Sequence, residues 1–139
     1  MGEGGHPPEL RSRTAKEVLD DHLRLADDRR WEEDIERNVS RDCVLLTGRG
    51  TFRGHEGFRE LARMLDEELP SGRWQYCTRM VQQRMAFIEW TVDADEGRVQ
   101  DGADSFLIEE GSIVAQTIHY TVLDRAGRVV VRSDGTRPG

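Results

Sequence analysis

Asp104 is the first residue in this chain whose type and place suggest chemistry. It alternates with Phe106 and Ile108 along Val99 to Ile108, so period-2 geometry puts a carboxyl on the face that carries two apolar side chains. Desolvation among hydrophobes raises a carboxyl pKa. Such a group can act as a general acid or base near neutrality, or donate as a neutral acid to a developing oxyanion. Glu89 is the second candidate acid or base. It interrupts Met85-Ala86-Phe87-Ile88-Glu89-Trp90-Thr91-Val92, a run otherwise fit for burial, and Arg79 on the neighbouring strand would be its structural partner. On the last long strand Val114, Gln116, Ile118 and Tyr120 share one face, while Ile113, Ala115, Thr117 and His119 share the other. Both faces are partly apolar, so the pattern alone leaves open which one points inward.

The remaining candidates read more plainly. Trp74, Tyr76 and Met80 fall on one strand face, as core or pocket wall. His22 is assigned to the polar side of the first helix and His55 to a helix entry, as surface and capping residues. No His or Cys pair has metal-ligand spacing, so no metal site is expected. Gly-x-Ser-x-Gly, a Walker loop and a dinucleotide fingerprint are all missing, which gives no support to nucleophile-elbow hydrolases or nucleotide enzymes, and no cofactor is expected. Cys43 and Cys77 read as reduced core thiols.

The elements that must hold these residues follow from periodicity. Thr14 with Glu17 forms a capping box ahead of a helix from about Ala15 to Asp28, whose stripe is Val18, Leu19, Leu23, Leu25 and Ala26. A short helix spans Trp31 to Asn38, with Trp31 as an anchor. Cys43 to Thr47 and Thr51 to Arg53 flank a Gly48-Arg49-Gly50 turn. A third helix starts near His55 and stops before Pro70-Ser71-Gly72. The period then changes to two, giving antiparallel strands over Arg73 to Val81, Met85 to Asp93, Val99 to Ile108 and Ser112 to Leu123. Residues 1–13 and 124–139 read as tails around one domain over 14–123, with Arg128 to Arg132 either a short strand or a continuation of the tail.

With 139 residues and a net charge of -7, from 20 basic and 27 acidic side chains, one hydrophobic core is expected and a polyanion partner is not. Arginines are scattered along the chain, leaving no nucleic-acid footprint. No apolar stretch approaches the roughly 20 residues that cross a bilayer, and Met1-Gly2-Glu3-Gly4-Gly5 has no export signature, so a cytoplasmic protein without membrane attachment is expected.

Helices first and then a sheet is an α+β order. Three segments sharpen it: Asn38-Val39-Ser40-Arg41-Asp42-Cys43-Val44-Leu45, Phe52-Arg53-Gly54-His55-Glu56-Gly57, and the hairpin from Asp101 to Ile113. In order and spacing these resemble the nuclear transport factor 2-like superfamily and its SnoaL-like family, over about Thr14 to Leu123. The resemblance implies a cone: a curved antiparallel sheet packed on three N-terminal helices around a pocket for a hydrophobic small molecule. It places Gln116 and Tyr120 inside, with Phe106, Ile108, Gln116, Ile118, Trp74, Trp90 and Trp31 lining the pocket. Asp104, Tyr120 and Glu89 are then the candidate catalytic set. Asp104 matches the strand Asp that stabilises the dienolate oxygen in ketosteroid isomerase. The isomerase's base falls here at or near Thr47, and Thr14 to Arg30 contains no tyrosine, so that mechanism is not implied. The expected activity is cofactor-independent acid/base chemistry of isomerase, cyclase or dehydratase type on a carbonyl compound, with a non-catalytic binding or dimerisation module as the alternative. The resemblance also implies a homodimer through the outer sheet face.

Overall fold

The computed structural model describes residues 7–139. A four-residue helix, α1 (Pro8–Arg11), precedes α2 (Ala15–Asp27) and α3 (Trp31–Asn38). Thr14 caps α2 as its sequence requires: Oγ1 accepts from the Glu17 N–H at 3.2 Å and the Glu17 carboxylate accepts from the Thr14 N–H at 2.8 Å. The buried stripe of α2 contains Val18, Leu19, Leu23 and Leu25, and it also contains His22. Surface placement of His22 is therefore corrected: three and four residues after Leu19 and Val18, it lies on the apolar stripe.

The chain passes from α3 directly into β1 (Val39–Thr47), turns into β2 (Gly50–Arg53), and enters α4 (Gly54–Glu68). Four strands then run back and forth: β3 (Arg73–Gln82), β4 (Met85–Asp93), β5 (Arg98–Glu109) and β6 (Ser112–His119). The order across the sheet is β2-β1-β6-β5-β4-β3. The meander is antiparallel, but β6 returns beside β1 in the same direction, so the sheet is mixed and not purely antiparallel. One face of it curls over α2, α3 and α4, and the core lies between.

Three irregularities decide which side chains face that core. The register of β3 against β4 shifts between Tyr76 and Thr78, leaving Cys77 as the extra residue. Trp74 and Tyr76 consequently face inward, while Met80 joins the outer face with Phe87 opposite, and Cys77 is exposed where a core thiol was expected. A second shift, beside Val114, rotates Ile113 into the core, fully buried, although simple alternation groups it with the outer residues. The third is the end of β6. The Asp101 carboxylate accepts from the Thr121 N–H and hydroxyl at 2.9 and 2.8 Å, supplying the partner that a continued ladder would have given. Val122 and Leu123 form a separate strand, β7, paired with β5 and with β8 (Val129–Val131), so the expected strand to Leu123 breaks at Tyr120.

Segments read as tails carry packed residues. Val131 is buried. Arg13 donates to the carbonyls of Leu10, Arg37 and Gly111 and to Asn38 Oδ1, tying the start of α2 to the β5–β6 hairpin. Gly111, with φ of 74°, has no room for a side chain, because a Cβ would come within 1.9 Å of the Leu10 carbonyl oxygen.

Candidate active site

Between the helices and the inner sheet face lies a cavity of about 80 Å³. The aromatic and aliphatic side chains of Trp31, Phe58, Leu61, Leu65, Trp74, Ile88, Trp90 and Ile118 make most of its wall. Its polar lining comes from His22 and Asp27 of α2, Asp34 of α3, and Tyr76, Asp104 and Gln116 of the sheet.

Asp104 is positioned by its neighbours on β4 and β6. Gly102 pairs directly with Trp90, and a Cβ at Gly102 would approach the indole to 2.2 Å, so the bare backbone there lets the ring lie across β5. From that position Trp90 Nε1 donates to Asp104 Oδ1 at 2.8 Å, and Gln116 Nε2 donates to Oδ2 at 3.1 Å. Burial nevertheless dominates and pushes the Asp104 pKa up to about 6, although both donors and the nearby His22 favour the anion.

Facing it, His22 is held by Nδ1, which lies 2.8 and 3.0 Å from the two carboxylate oxygens of Asp34. Asp34 is itself fixed by Asn38, one helical turn on, whose Nδ2 donates to Asp34 Oδ1 and to Asp21 Oδ2, both at 2.9 Å. Arg13 Nη1 donates to Asn38 Oδ1 at 2.9 Å, which settles the orientation of that amide. Burial alone would lower the His22 pKa, but the Asp34 carboxylate, with Asp104 and Asp21 behind it, raises it overall. With Nδ1 engaged by Asp34, Nε2 is the ring nitrogen left to act. Phe58 and Phe106 close on the ring edge-to-face, with centroids 5.9 and 5.7 Å away.

The three residues singled out as candidate acids, bases or donors are not brought together. Asp104 lies in the cavity. Glu89 does not: Ile88 and Trp90 take the inner face, so alternation turns Glu89 outward, where it is exposed and accepts from Thr78 Oγ1 at 2.7 Å. Arg79 pairs instead with Asp20 of α2 at 2.9 Å. Tyr120 is buried but engaged elsewhere, its hydroxyl donating to Glu68 at 2.9 Å and the Arg49 guanidinium standing 4.5 Å over its ring. It meets the site only through Trp90, at 5.7 Å between ring centroids. Gln116, Ile118, Trp74, Trp90 and Trp31 line the cavity; Phe106 instead backs His22, and Ile108 lies in the core beyond. The sequence reading missed His22 and Asp34. The signal was available, since His22 shares the spacing of Val18 and Leu19, and Asp34 and Asn38 are four apart on one helix face.

Among the described residues, no group of three or more His, Cys, Asp or Glu side chains is arranged to hold a metal, and no helix is long and apolar enough to cross a membrane. Solved structures share the architecture. A SnoaL-like polyketide cyclase from Agrobacterium tumefaciens C58 is 12% identical, with 83% of this chain and 94% of that one covered and a TM-score of 0.65. A protein proposed as a ketosteroid isomerase from Kribbella flavida DSM 17836 is also 12% identical, with 76% of each chain covered at 0.65. A de novo designed protein with a curved β-sheet is 18% identical, with 81% and 86% covered at 0.64. At these identities the likeness establishes the fold alone. No protein of curated function matches the chain. The SnoaL-like domain family matches residues 19–116, most of the chain, and the protein therefore belongs to the SnoaL-like family.

Proposed function

We propose that this protein binds a small hydrophobic carbonyl compound in its cone and moves a proton on it without a cofactor, with His22 and Asp104 as the exchanging groups. The observation that carries this reading is the pairing of two desolvated groups in one apolar cavity: an imidazole whose cation is favoured by Asp34 and a carboxyl pushed up to about 6. Such a pair holds one proton between them near neutrality and titrates as a unit. Ionised Asp104 can take a proton from a carbon next to a carbonyl, while protonated His22 hydrogen-bonds the carbonyl oxygen through Nε2 as negative charge grows there. Returning the proton to another atom completes an isomerisation; attack by the enolate on a second carbonyl completes a cyclisation.

Deuterium exchange beside the carbonyl of cyclohexanone and acetophenone, followed by NMR in D2O, tests this. Acceleration by the wild type that disappears in both Asp104→Asn and His22→Gln is the expected result. Exchange no faster than in buffer, or unchanged in the variants, overturns the catalytic assignment and leaves a binding module.

The outer sheet face supports a homodimer. Leu46, Met80, Met85 and Phe87 are exposed there, and Met80 is directly opposite Phe87. Light scattering after size exclusion should give twice the chain mass, and Phe87→Lys should give the monomer; a wild type that is monomeric at micromolar concentration rules the interface out. The acidic chain and its two free thiols fit a cytoplasmic protein with no nucleic-acid partner.

A further inference from the structure

Gln116 has one end of its amide engaged and the other unmatched. Nε2 donates to Asp104 at 3.1 Å, an orientation that an ionised carboxylate dictates because it can only accept. That leaves Oε1, which is buried without a hydrogen-bond donor on a residue only 3% exposed that lines the cavity. A buried acceptor left unmatched is costly, and native cores tolerate few of them. The adjoining Asp104 carboxylate accepts one hydrogen bond per oxygen and has lone pairs to spare. Of the other polar pairs on the wall, Tyr76 donates to Asp27 at 3.1 Å and His22 Nδ1 lies 2.8 Å from Asp34. The polar edge formed by Asp104 and Gln116 therefore presents acceptors side by side on a mostly aromatic and aliphatic wall.

We infer that the ligand of this cavity is a compact, ring-sized molecule carrying two adjacent hydrogen-bond donors, such as a vicinal dihydroxy or enediol group, one for Gln116 Oε1 and one for Asp104. This rests on the proposal that the cone is a small-molecule site and narrows its class, since an enediol is the enol form of a carbonyl compound with a hydroxyl on the neighbouring carbon. Size follows from the cavity, about 80 Å³, where roughly 10–15 Å³ by the same kind of measure holds one water. The donors follow from Gln116. A ligand with a methyl in place of the hydroxyl would bury Oε1 against carbon, and sites built for a hydroxyl reject such analogues strongly.

Catechol, 2-methylphenol and o-xylene have nearly the same shape and carry two, one and no donors. The chain's three tryptophans all line the cavity, so their emission reports occupancy and calorimetry gives the affinities. Wild type should bind catechol at least about tenfold more tightly than o-xylene, with 2-methylphenol between. In Gln116→Met, which keeps the side-chain length, catechol should weaken about tenfold and o-xylene should not. Equal affinity for all three, or a catechol preference that survives Gln116→Met, overturns the donor inference while leaving the pocket reading intact. Binding of none of the three overturns both. If Gln116→Met does not fold, the wild-type ranking decides alone: the expected order supports the inference and its absence overturns it.

Discussion

Two buried polar clusters lie on either side of Trp90, and they are built on opposite principles. In the cluster of Arg49, Glu68 and Tyr120 every group is matched. The guanidinium forms two hydrogen bonds to the Glu68 carboxylate, the Tyr120 hydroxyl donates to the same carboxylate, and Arg49 covers the phenol ring. The turn at Arg49 is pinned from outside as well, where Gly48 packs against the Ser133 carbonyl and Gly135 against the Arg49 side chain. In the cluster of His22, Asp104 and Gln116 the hydrogen bonding is incomplete and both titratable groups hold their proton to higher pH than usual. A charge buried with all its partners holds structure together; one buried with capacity left over is poised to bind or exchange a proton.

That contrast breaks most sharply at Arg49. Arg49→Met strips the counter-charge from Glu68, whose side chain is 13% exposed, and should lower the unfolding free energy by about 3–5 kcal/mol in urea titrations. A loss below about 1 kcal/mol would make the two clusters alike. Next in size is the pH dependence set by Asp104. Its folded pKa, about 6, lies above its ordinary value of 3.8, so its contribution to stability is full below about pH 3.8 and is lost as pH rises through about 6. Relative to wild type, Asp104→Asn should gain about 3 kcal/mol in unfolding free energy between pH 3 and pH 8. A difference that is flat with pH would mean that Asp104 is solvated.

A third variant sharpens the bracing of His22. Asn38→Ala leaves Asp34 and Arg13 each short of a partner and should cost about 1–3 kcal/mol. The smallest effect is expected from Trp90→Phe. Losing the indole N–H removes a donor that favours the anion, so the Asp104 pKa should move further up, readable as a carboxyl carbon resonance titrating at higher pH than in wild type. A downward movement would show that the ring's bulk, and not its N–H, governs that carboxyl.

Much of this was legible beforehand. The capping box at Thr14, the extent of α3, the change to period two after Gly72 and the inward aspect of Asp104 all follow from local patterns that the fold obeys. What escaped was set by tertiary geometry. The apolar run around Glu89 suggests a fully buried strand, whereas β4 has one face outside, and alternation puts Ile88 and Trp90 within. Ile113 and Met80 changed faces at bulges that no two-residue period contains. Tyr120 is buried, but the Arg49 and Glu68 that engage it come from a turn and a helix end whose meeting has no linear signature. The polarity of His22 points to the surface, but its spacing from Val18 and Leu19 puts it on the buried stripe.

The parallel pairing of β1 with β6 also governs when the site comes into being. Leu45 lies beside Gln116, so the sheet cannot close until nearly the whole chain is available, and contacts this distant in sequence form slowly. During synthesis His22 and Asp34 leave the ribosome early, on helices that have no sheet yet to cover them. The apolar stripe of α2 packs on β3, β4 and β5, so it stays in water in any nascent chain that ends before those strands.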